Sequence, residues 1–207
     1  MNILAIGPHP DDIEIGCGGT LIKYALQGHD VFLLIITRGE MGGDGDIRYR
    51  EQLTSAGIIG AREVFWGGFR DTELLNRGNE IIHVVERHIA RIRPHFIFVN
   101  SYEDTHQDHR VVNRSVLSAT RYIKNVLLYE VPTTRSFTPN VFVDIGAVLD
   151  KKIAALEAHA SQIMKTNIQD LSIVDVARSS AHFRGVQGRV LLAEGFVSER
   201  LFINIDR

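Results

Sequence analysis

The sequence of 207 residues has little cysteine, little net charge and no long hydrophobic run, and each shortage excludes a class of protein. A single cysteine, Cys17, excludes an internal disulfide and fits a reducing compartment, so we expect a cytoplasmic protein. The formal net charge is −2 with interspersed signs, which provides no electrostatic basis for binding nucleic acid or an anionic membrane. No apolar run approaches the roughly 20 residues that span a bilayer. The N-terminus lacks the basic region of a signal peptide, so none is predicted.

The rest of the composition is that of an ordinary globular protein. Apolar residues make up 44% of the chain and charged residues 23%, and we find no linker, repeat or low-complexity segment. The length favours one domain over residues 1–207 with a substantial core. Nine histidines is a somewhat high count, so their positions must show which of them matter.

Short apolar segments alternate with helical patterns over the first two thirds of the chain. Strands are predicted at Asn2–Ile6, Val31–Thr37, Glu63–Trp66, Phe96–Asn100 and Val126–Glu130. Helices are predicted at Thr20–Gln27, Arg48–Ile59, Asn79–Arg93 and His109–Lys124. This alternation implies right-handed βαβ units and a parallel sheet whose strands are buried on both faces.

The last third of the chain is less regular. We predict strands at Val141–Ile145 and Leu201–Ile205, the second of them at an edge, and helices at Val148–Met164 and Ile173–His182. The expected fold class is therefore α/β with a C-terminal elaboration.

The loop after the first predicted strand carries three side chains that can bind a metal. Residues 7–12 read GPHPDD, so His9, Asp11 and Asp12 lie within four residues. Each proline fixes its own φ and restricts the residue before it, which stiffens the loop. An imidazole and two adjacent carboxylates on a rigid turn indicate part of a metal site with a base beside it.

A second cluster, DTHQDH over residues 104–109, follows the fourth predicted strand. His106 and His109 are three residues apart and would lie on one side of a helix start, with Asp108 close enough to fix the tautomer of one imidazole. In a 3-2-1-4-5 strand order, the first and fourth strands are neighbours at the switch point where open α/β sheets bind ligands. We therefore expect the two clusters to face each other.

Together the two clusters could form a catalytic zinc site, which needs three protein ligands and an open position. His9, Asp12 and His109 would supply a His₂Asp ligand set. The residues left for acid–base chemistry would be Asp11, His106 and Asp108. Either cluster alone could be a surface turn with an Asx hydrogen bond, but their common position favours a metal site.

The segment Gly16–Thr20 (GCGGT) is a second candidate for a binding loop, since it leads into a helical pattern. Its spacing is not that of the G-x-G-x-x-G dinucleotide motif, and the neighbouring carboxylates would repel a pyrophosphate. We expect these glycines to let the N-terminus of the following helix approach the metal loop closely.

The motifs taken together resemble those of the LmbE-like, PIG-L-type zinc de-N-acetylases. The resemblance covers nearly the whole chain: HPDD at 9–12 with Glu14, GCGGT at 16–20, TRGEMG at 37–42, Arg48-x-x-Glu51 before Gly60, Arg93-Pro94, HQDH at 106–109, Lys152 to Leu156, HASQ at 159–162, Arg184-Gly185, Gly188 and AEGF at 193–196. The paired H-P-D-D and H-x-D-H motifs are the specific ones, and the others support them.

The resemblance implies a Rossmann-like three-layer fold with a mostly parallel central sheet. It also implies one zinc ion per chain, in a family where other divalent metals can take its place, and hydrolysis of an acetamide, most often on an N-acetylglucosamine conjugate. His9, Asp12 and His109 match the zinc ligands, and Asp11 matches the general base. The expected partner is thus a small N-acetylated sugar conjugate, and a homo-oligomer is expected by analogy.

Further roles are implied for four residues. His106 matches the histidine that stabilises the tetrahedral intermediate or protonates the leaving amine, and Asp108 would tune a neighbouring imidazole. Arg48 matches a family arginine at the substrate pocket. Some relatives have tyrosine where this chain has Asp104, which could instead hold His106 or a sugar hydroxyl.

Two alternatives to a de-N-acetylase remain open at this point. One is a metal-dependent hydrolase of another small amide or ester, including a phosphoester; phosphoesterases often hold two metals, whereas one full ligand set is apparent here. The other is a ligand-binding module without catalysis, which would not require an acid–base pair such as Asp11 and His106.

Overall fold

A seven-stranded sheet forms the centre of the structure, a computed structural model that describes residues 1–203. Its strands are β1 Asn2–Gly7, β2 Asp30–Thr37, β3 Glu63–Phe69, β4 Phe96–Asn100, β5 Val126–Tyr129, β6 Val141–Asp144 and β7 Ala193–Arg200. The order is β3-β2-β1-β4-β5-β7-β6. The first five strands are mutually parallel, whereas β7 runs antiparallel to β5 and β6. The predicted α/β class, with a mostly parallel sheet and a C-terminal elaboration, is confirmed.

Six helices cover the two faces of this sheet. They are α1 Asp12–Leu26, α2 Gly45–Ile59, α3 Gly78–Ile92, α4 Gln107–Ala119, α5 Leu149–Glu157 and α6 Ile173–Gly188. Because side chains alternate along a strand, Ile3 and Ala5 of β1 pack with α1, α2, α5 and α6, while Leu4 and Ile6 pack with α3 and α4. The result is three layers with an apolar core on each side of the sheet. None of the helices in residues 1–203 has both the length and the apolarity needed to cross a membrane.

Helix α1 begins eight residues earlier than predicted, at Asp12 instead of Thr20. The glycines at positions 16, 18 and 19 therefore lie inside the helix, and the expectation that they precede it is wrong. Their role is close packing: a Cβ at Gly16 would lie 2.0 Å from the Tyr129 ring, and one at Gly19 would lie 2.8 Å from Ile145. These contacts with distant residues outweigh the low helix propensity of glycine.

Strand β7 is tied to the middle of α1 by a buried carboxylate. Glu194 accepts hydrogen bonds from the backbone N–H groups of Gly19 and Thr20, at 2.8 and 2.7 Å. Lys152 of α5 donates both to Glu194, at 2.7 Å, and to the carbonyl of Ile15, at 2.8 Å. That carbonyl lies four residues before Gly19, where a helical N–H would normally find its acceptor. The buried ion pair thus joins α1, α5 and β7.

The C-terminal third differs most from the sequence prediction. Helix α5 ends at Glu157 and turns follow it, so the predicted helix to Met164 is too long. The predicted edge strand Leu201–Ile205 is wrong where it is described, because residues 201–203 are not in a strand; residues 204 and 205 lie outside the described residues. The strand is β7 instead, whose first four residues are all buried and so show no alternation to detect.

The packing of Gly16 allows a test with a matched control. Gly16→Ala should lower the free energy of unfolding by about 1–3 kcal/mol, because the added methyl group clashes with the Tyr129 ring. That ring cannot swing away freely, since its hydroxyl donates to the carbonyl of Ile6 at 2.9 Å. Gly57→Ala, in α2 with no atom within 4 Å of the new Cβ, should instead raise stability by roughly 0.5–1 kcal/mol. Urea unfolding midpoints measure both, and equal shifts would contradict the packing argument.

Candidate metal centre and active site

The two polar clusters meet at the carboxyl ends of β1 and β4, which are parallel neighbours. His9 and Asp12 follow β1, while His106 and His109 lie at the start of α4, after β4. The ring centroids of His9 and His109 are 5.3 Å apart, and His106 lies 4.7 Å from each of them. The prediction that the clusters face each other at the switch point is therefore confirmed.

Three atoms of the two clusters form a nearly equilateral triangle. His9 Nδ1 lies 3.3 Å from Asp12 Oδ2 and 3.3 Å from His109 Nε2, and the third side, His109 Nε2 to Asp12 Oδ2, is 3.4 Å. A tetrahedral ion with bonds of about 2.0–2.1 Å keeps its ligand atoms roughly 3.3–3.4 Å apart. All three residues are buried, and the cluster could hold a metal ion.

A carboxylate holds the far nitrogen of each imidazole in this triangle. Asp71 Oδ1 lies 2.9 Å from His9 Nε2, and Asp104 Oδ2 lies 3.0 Å from His109 Nδ1. Such pairs fix the tautomer that leaves the opposite nitrogen free for a metal. Asp104 also accepts the backbone N–H of His106 through Oδ1, at 2.8 Å, so it orients both histidines of the second cluster.

Sequence reasoning placed these carboxylates only in part. Asp108, expected to fix an imidazole by a hydrogen bond, has its Oδ2 3.5 Å from His9 Nε2 and accepts the N–H of Thr72 instead, at 2.8 Å. Asp71 was not predicted as a site residue. Its one signal is its position directly after β3, at the same end of the sheet.

Charge in the cluster is balanced by protons on the imidazoles. Burial alone would lower the pKa of His109, but Asp12 and Asp104 raise it to about 9. Burial also opposes the charged form of His9, yet the carboxylates of Asp108, Asp12 and Asp71 raise its pKa well above the ordinary value. Asp12, although buried, has its pKa held well below the usual range by the two imidazoles. A divalent cation could replace these protons as the balancing charge.

A second set of possible ligands, made of His9, Asp71 and His106, shares His9 with the first. It would use the Nε2 of His9, which already faces the Asp71 carboxylate at 2.9 Å. The geometry therefore favours the set with His9, Asp12 and His109.

Asp11 lies beside Asp12 but in a different backbone conformation. Its φ of 90° and ψ of −28° are close to those of the third residue of a type II turn, a position that favours glycine or asparagine. For aspartate this costs of order 1–3 kcal/mol. Burial raises the pKa of Asp11 to about 6 although the charge of Arg48 opposes the shift. A carboxylate with such a pKa can take and return a proton near neutral pH.

His106 caps the N-terminus of α4 with its own ring. Its Nδ1 accepts the backbone N–H of Asp108 at 3.2 Å, so Nε2 carries the proton of the neutral ring. Burial lowers the pKa of His106, and the charges of His9 and His109 lower it further. His106 lines the cavity next to the metal cluster and can offer a neutral N–H donor there.

Arg48 of α2 also lines the cavity, but the protein itself uses much of its guanidinium. The side chain donates to the carbonyl of Gly39 at 2.6 Å and to that of Pro10 at 2.8 Å, and it lies 3.5 Å from the Asp11 carboxylate. Its contact with a substrate stays a prediction.

The cluster opens into a cavity of about 1080 Å³. Of the segments predicted to set specificity, Gly42–Ile47, Phe69–Arg77 and Thr133–Asn140, each contributes one or two lining residues. The larger part of the opposite wall was missed: it comes from the turns between α5 and α6 and from the start of α6. Its members are Gln162, Met164, Lys165, Thr166, Asn167, Ile168, Gln169, Leu171, Ile173 and Val176. Irregular turns carry no periodicity that sequence reasoning could use.

Comparison with known proteins gives one consistent group. Residues 4–120 match the family model "PIG-L: GlcNAc-PI de-N-acetylase". The chain is 36% identical to the "Uncharacterized deacetylase YaiS" of Escherichia coli K12, covering 77% of this chain and 90% of that protein. It is 33% identical to the diacetylchitobiose deacetylase of Thermococcus kodakarensis, over 77% and 69%. The structure of conserved protein TT1542 from Thermus thermophilus superposes with a TM-score of 0.86 at 28% identity, over 99% and 98%.

The triangle predicts which variant loses metal. His109→Ala removes one of three ligand atoms, so we expect metal content to fall from about one ion per chain to less than about a tenth after dialysis. Asp104→Asn, which keeps the ligands but weakens the hold on His109, should lower metal affinity by about 10–100-fold. His83→Ala, on the exposed side of α3, is the matched control. Elemental analysis of the purified variants measures the content, and a fully loaded His109→Ala would refute this ligand set.

Proposed function

The chain belongs to the PIG-L family and is a deacetylase, and on that premise we propose that it uses one zinc ion to remove the acetyl group from an N-acetylglucosamine-type conjugate. The observation that carries the proposal is the triangle of His9, Asp12 and His109, with Asp11 and His106 beside it in one cavity. The overall reaction adds water across the acetamide, so that its C–N bond breaks and acetate and a free amine leave.

Zinc fits the proposed ligand set because two imidazole nitrogens and one carboxylate oxygen are donors that it accepts, with a fourth position left open. Bound there, the ion would polarise the acetyl carbonyl and lower the pKa of a water molecule toward about 7. The Asp71 and Asp104 carboxylates would keep both imidazoles in the tautomer that this ligation requires.

Asp11 is the proposed general base. Its carboxylate is 17% exposed, lines the cavity and lies outside the triangle of proposed ligand atoms. With a pKa raised to about 6, it can accept the proton of the attacking water and then give it to the leaving amine nitrogen. One carboxylate would thus serve as base and acid in turn.

His106 is the proposed donor to the acetyl oxygen as that oxygen becomes negative. Because its Nδ1 accepts the Asp108 N–H, the proton on Nε2 is the one available to the substrate. A neutral imidazole held by a helix N-terminus can stabilise this charge without first taking up a proton. Asp108 would act through position, since its N–H orients His106 and its carboxylate holds Thr72 next to His9.

The proposed partner is a small sugar conjugate of neutral or mixed polarity. A cavity of about 1080 Å³ is at the upper end of the roughly 300–1,000 Å³ usual for small-molecule sites, which leaves room for more than one sugar ring. Arg48 could contact a sugar hydroxyl from the cavity wall. The relative that acts on diacetylchitobiose supports a neutral substrate of this kind.

The proposed function is tested by acetate release. We expect the zinc-loaded protein to release acetate from N-acetylglucosamine conjugates such as diacetylchitobiose. Asp11→Asn should keep its zinc and fold but lose turnover by at least about 10²-fold, because the base is gone. Near-normal turnover in this variant would rule out Asp11 as the base. A zinc-loaded wild type without acetate release from any acetamide would instead favour hydrolysis of another small amide or ester.

A second variant separates charge stabilisation from metal binding. His106→Ala should lower kcat by on the order of 10²–10³-fold, with metal content unchanged, because one preorganised donor is lost. His95→Ala, at the opposite end of β4, is the control for loss of an imidazole. If His106→Ala lost metal as well, His106 would have to be counted among the ligands.

A further inference from the structure

Asp11 needs support from outside its own loop, because its backbone conformation is unfavourable for aspartate. The buried face of α2 supplies contacts on two sides. Arg48 donates to the carbonyl of Pro10 at 2.8 Å, and Gln52, one helical turn later, accepts the backbone N–H of Asp11 at 3.4 Å. Both of these groups belong to the residues that form the turn.

We propose that Gln52 is a positioning residue for Asp11: its side-chain amide bridges the Asp11 backbone and the buried Glu14 carboxylate, and so keeps the Asp11 carboxylate turned into the cavity. This inference rests on the proposed function, in which Asp11 is the base. Gln52 itself is fully buried and does not line the cavity. It would therefore act through Asp11 and not on the substrate.

The orientation of the Gln52 amide is determined by its two neighbours. Its Nε2 donates to Glu14 Oε1 at 2.7 Å, a short bond to an acceptor-only group. Its Oε1 then faces the Asp11 N–H, which can only donate. A flipped amide would oppose donor to donor and acceptor to acceptor, so one orientation is available to it.

Glu14 is in turn anchored from behind. Ser55 of α2 donates to its Oε1 at 2.9 Å, and the Nε2 of His159, from the turn after α5, lies 3.6 Å from the same oxygen. Glu14 and Ser55 have no exposed surface and His159 has 1%. A buried charge pair of this kind resists displacement, because separating it would leave an uncompensated charge in the core. The chain of contacts from His159 to Asp11 thus rests on a rigid base.

The bond from Asp11 to Gln52 is long, so its main effect would be on direction and not on stability. Small displacements matter here, since a shift of about 1 Å at a reacting group can lower the rate by about 10²-fold. Gln52 would therefore affect kcat more than substrate affinity.

The test uses the full-length, metal-loaded protein. Gln52→Met keeps the size of the side chain but removes both polar contacts. We expect kcat to fall at least about tenfold, with KM changed by less than about threefold and metal content unchanged. Ser55→Ala, which removes another hydrogen bond to the same Glu14 oxygen without touching Asp11, is the matched control and should lower kcat much less. Gln187→Met, on the exposed side of α6, controls for the substitution itself.

A double-mutant cycle decides whether Gln52 acts through Asp11. In the Asp11→Asn background, Gln52→Met should cost little further activity, since the group it positions is already disabled. An equal loss in both backgrounds would overturn the proposal.

A crystal structure of Gln52→Met provides a measurement that needs no activity. We expect Asp11 to leave its φ near +90°, and an unchanged turn would overturn the positioning role even if the wild type proved inactive. Inactivity of the wild type toward every acetamide would count against the proposed function alone.

Discussion

The parallel pairing of β1 with β4 is the constraint on which the site depends. The register that joins Ile6 to Val99 brings the ends of both strands to one edge of the sheet. Asn100, the last residue of β4, then fastens the second cluster to that edge, because its side chain donates to the carbonyls of Ser101 and His109, both at 2.9 Å. Two loops a hundred residues apart in sequence are thereby held at metal-ligand distances by the sheet, without a bond between the loops themselves being required.

Within that frame, two adjacent carboxylates acquire opposite properties. Asp12 faces two imidazoles, which hold its pKa well below the usual range. Asp11 is turned the other way, and burial raises its pKa to about 6. The difference comes from the backbone: the left-handed conformation of Asp11 points successive side chains into different surroundings. Pairs of titratable groups whose environments separate their pKa values are typical of acid–base sites, which agrees with the proposed division into ligand and base.

Sequence reasoning predicted those features that depend on local pattern. Buried strands read as apolar runs, and His9, Asp12, His106 and His109 stood out because their residue types are rare in such spacing after strands. Asp71, Gln52 and the wall after α5 were missed, because each is brought to the site by contacts between distant segments. The start of α1 was misplaced for the same reason: its glycines pack against Tyr129 and Ile145, and no local rule distinguishes such glycines from a loop.

Helix α1 connects the site with the rest of the core. Its first turn carries Asp12 and Glu14, and its middle is fixed by Glu194 and Lys152. The glycine-rich segment between them lets the helix lie directly on β5, so the first turn cannot move without disturbing the packing against the Tyr129 ring. The intrinsic cost of glycine in a helix is thus offset by an approach that larger residues would prevent. The precision of the site follows from close packing behind it as much as from the polar residues within it.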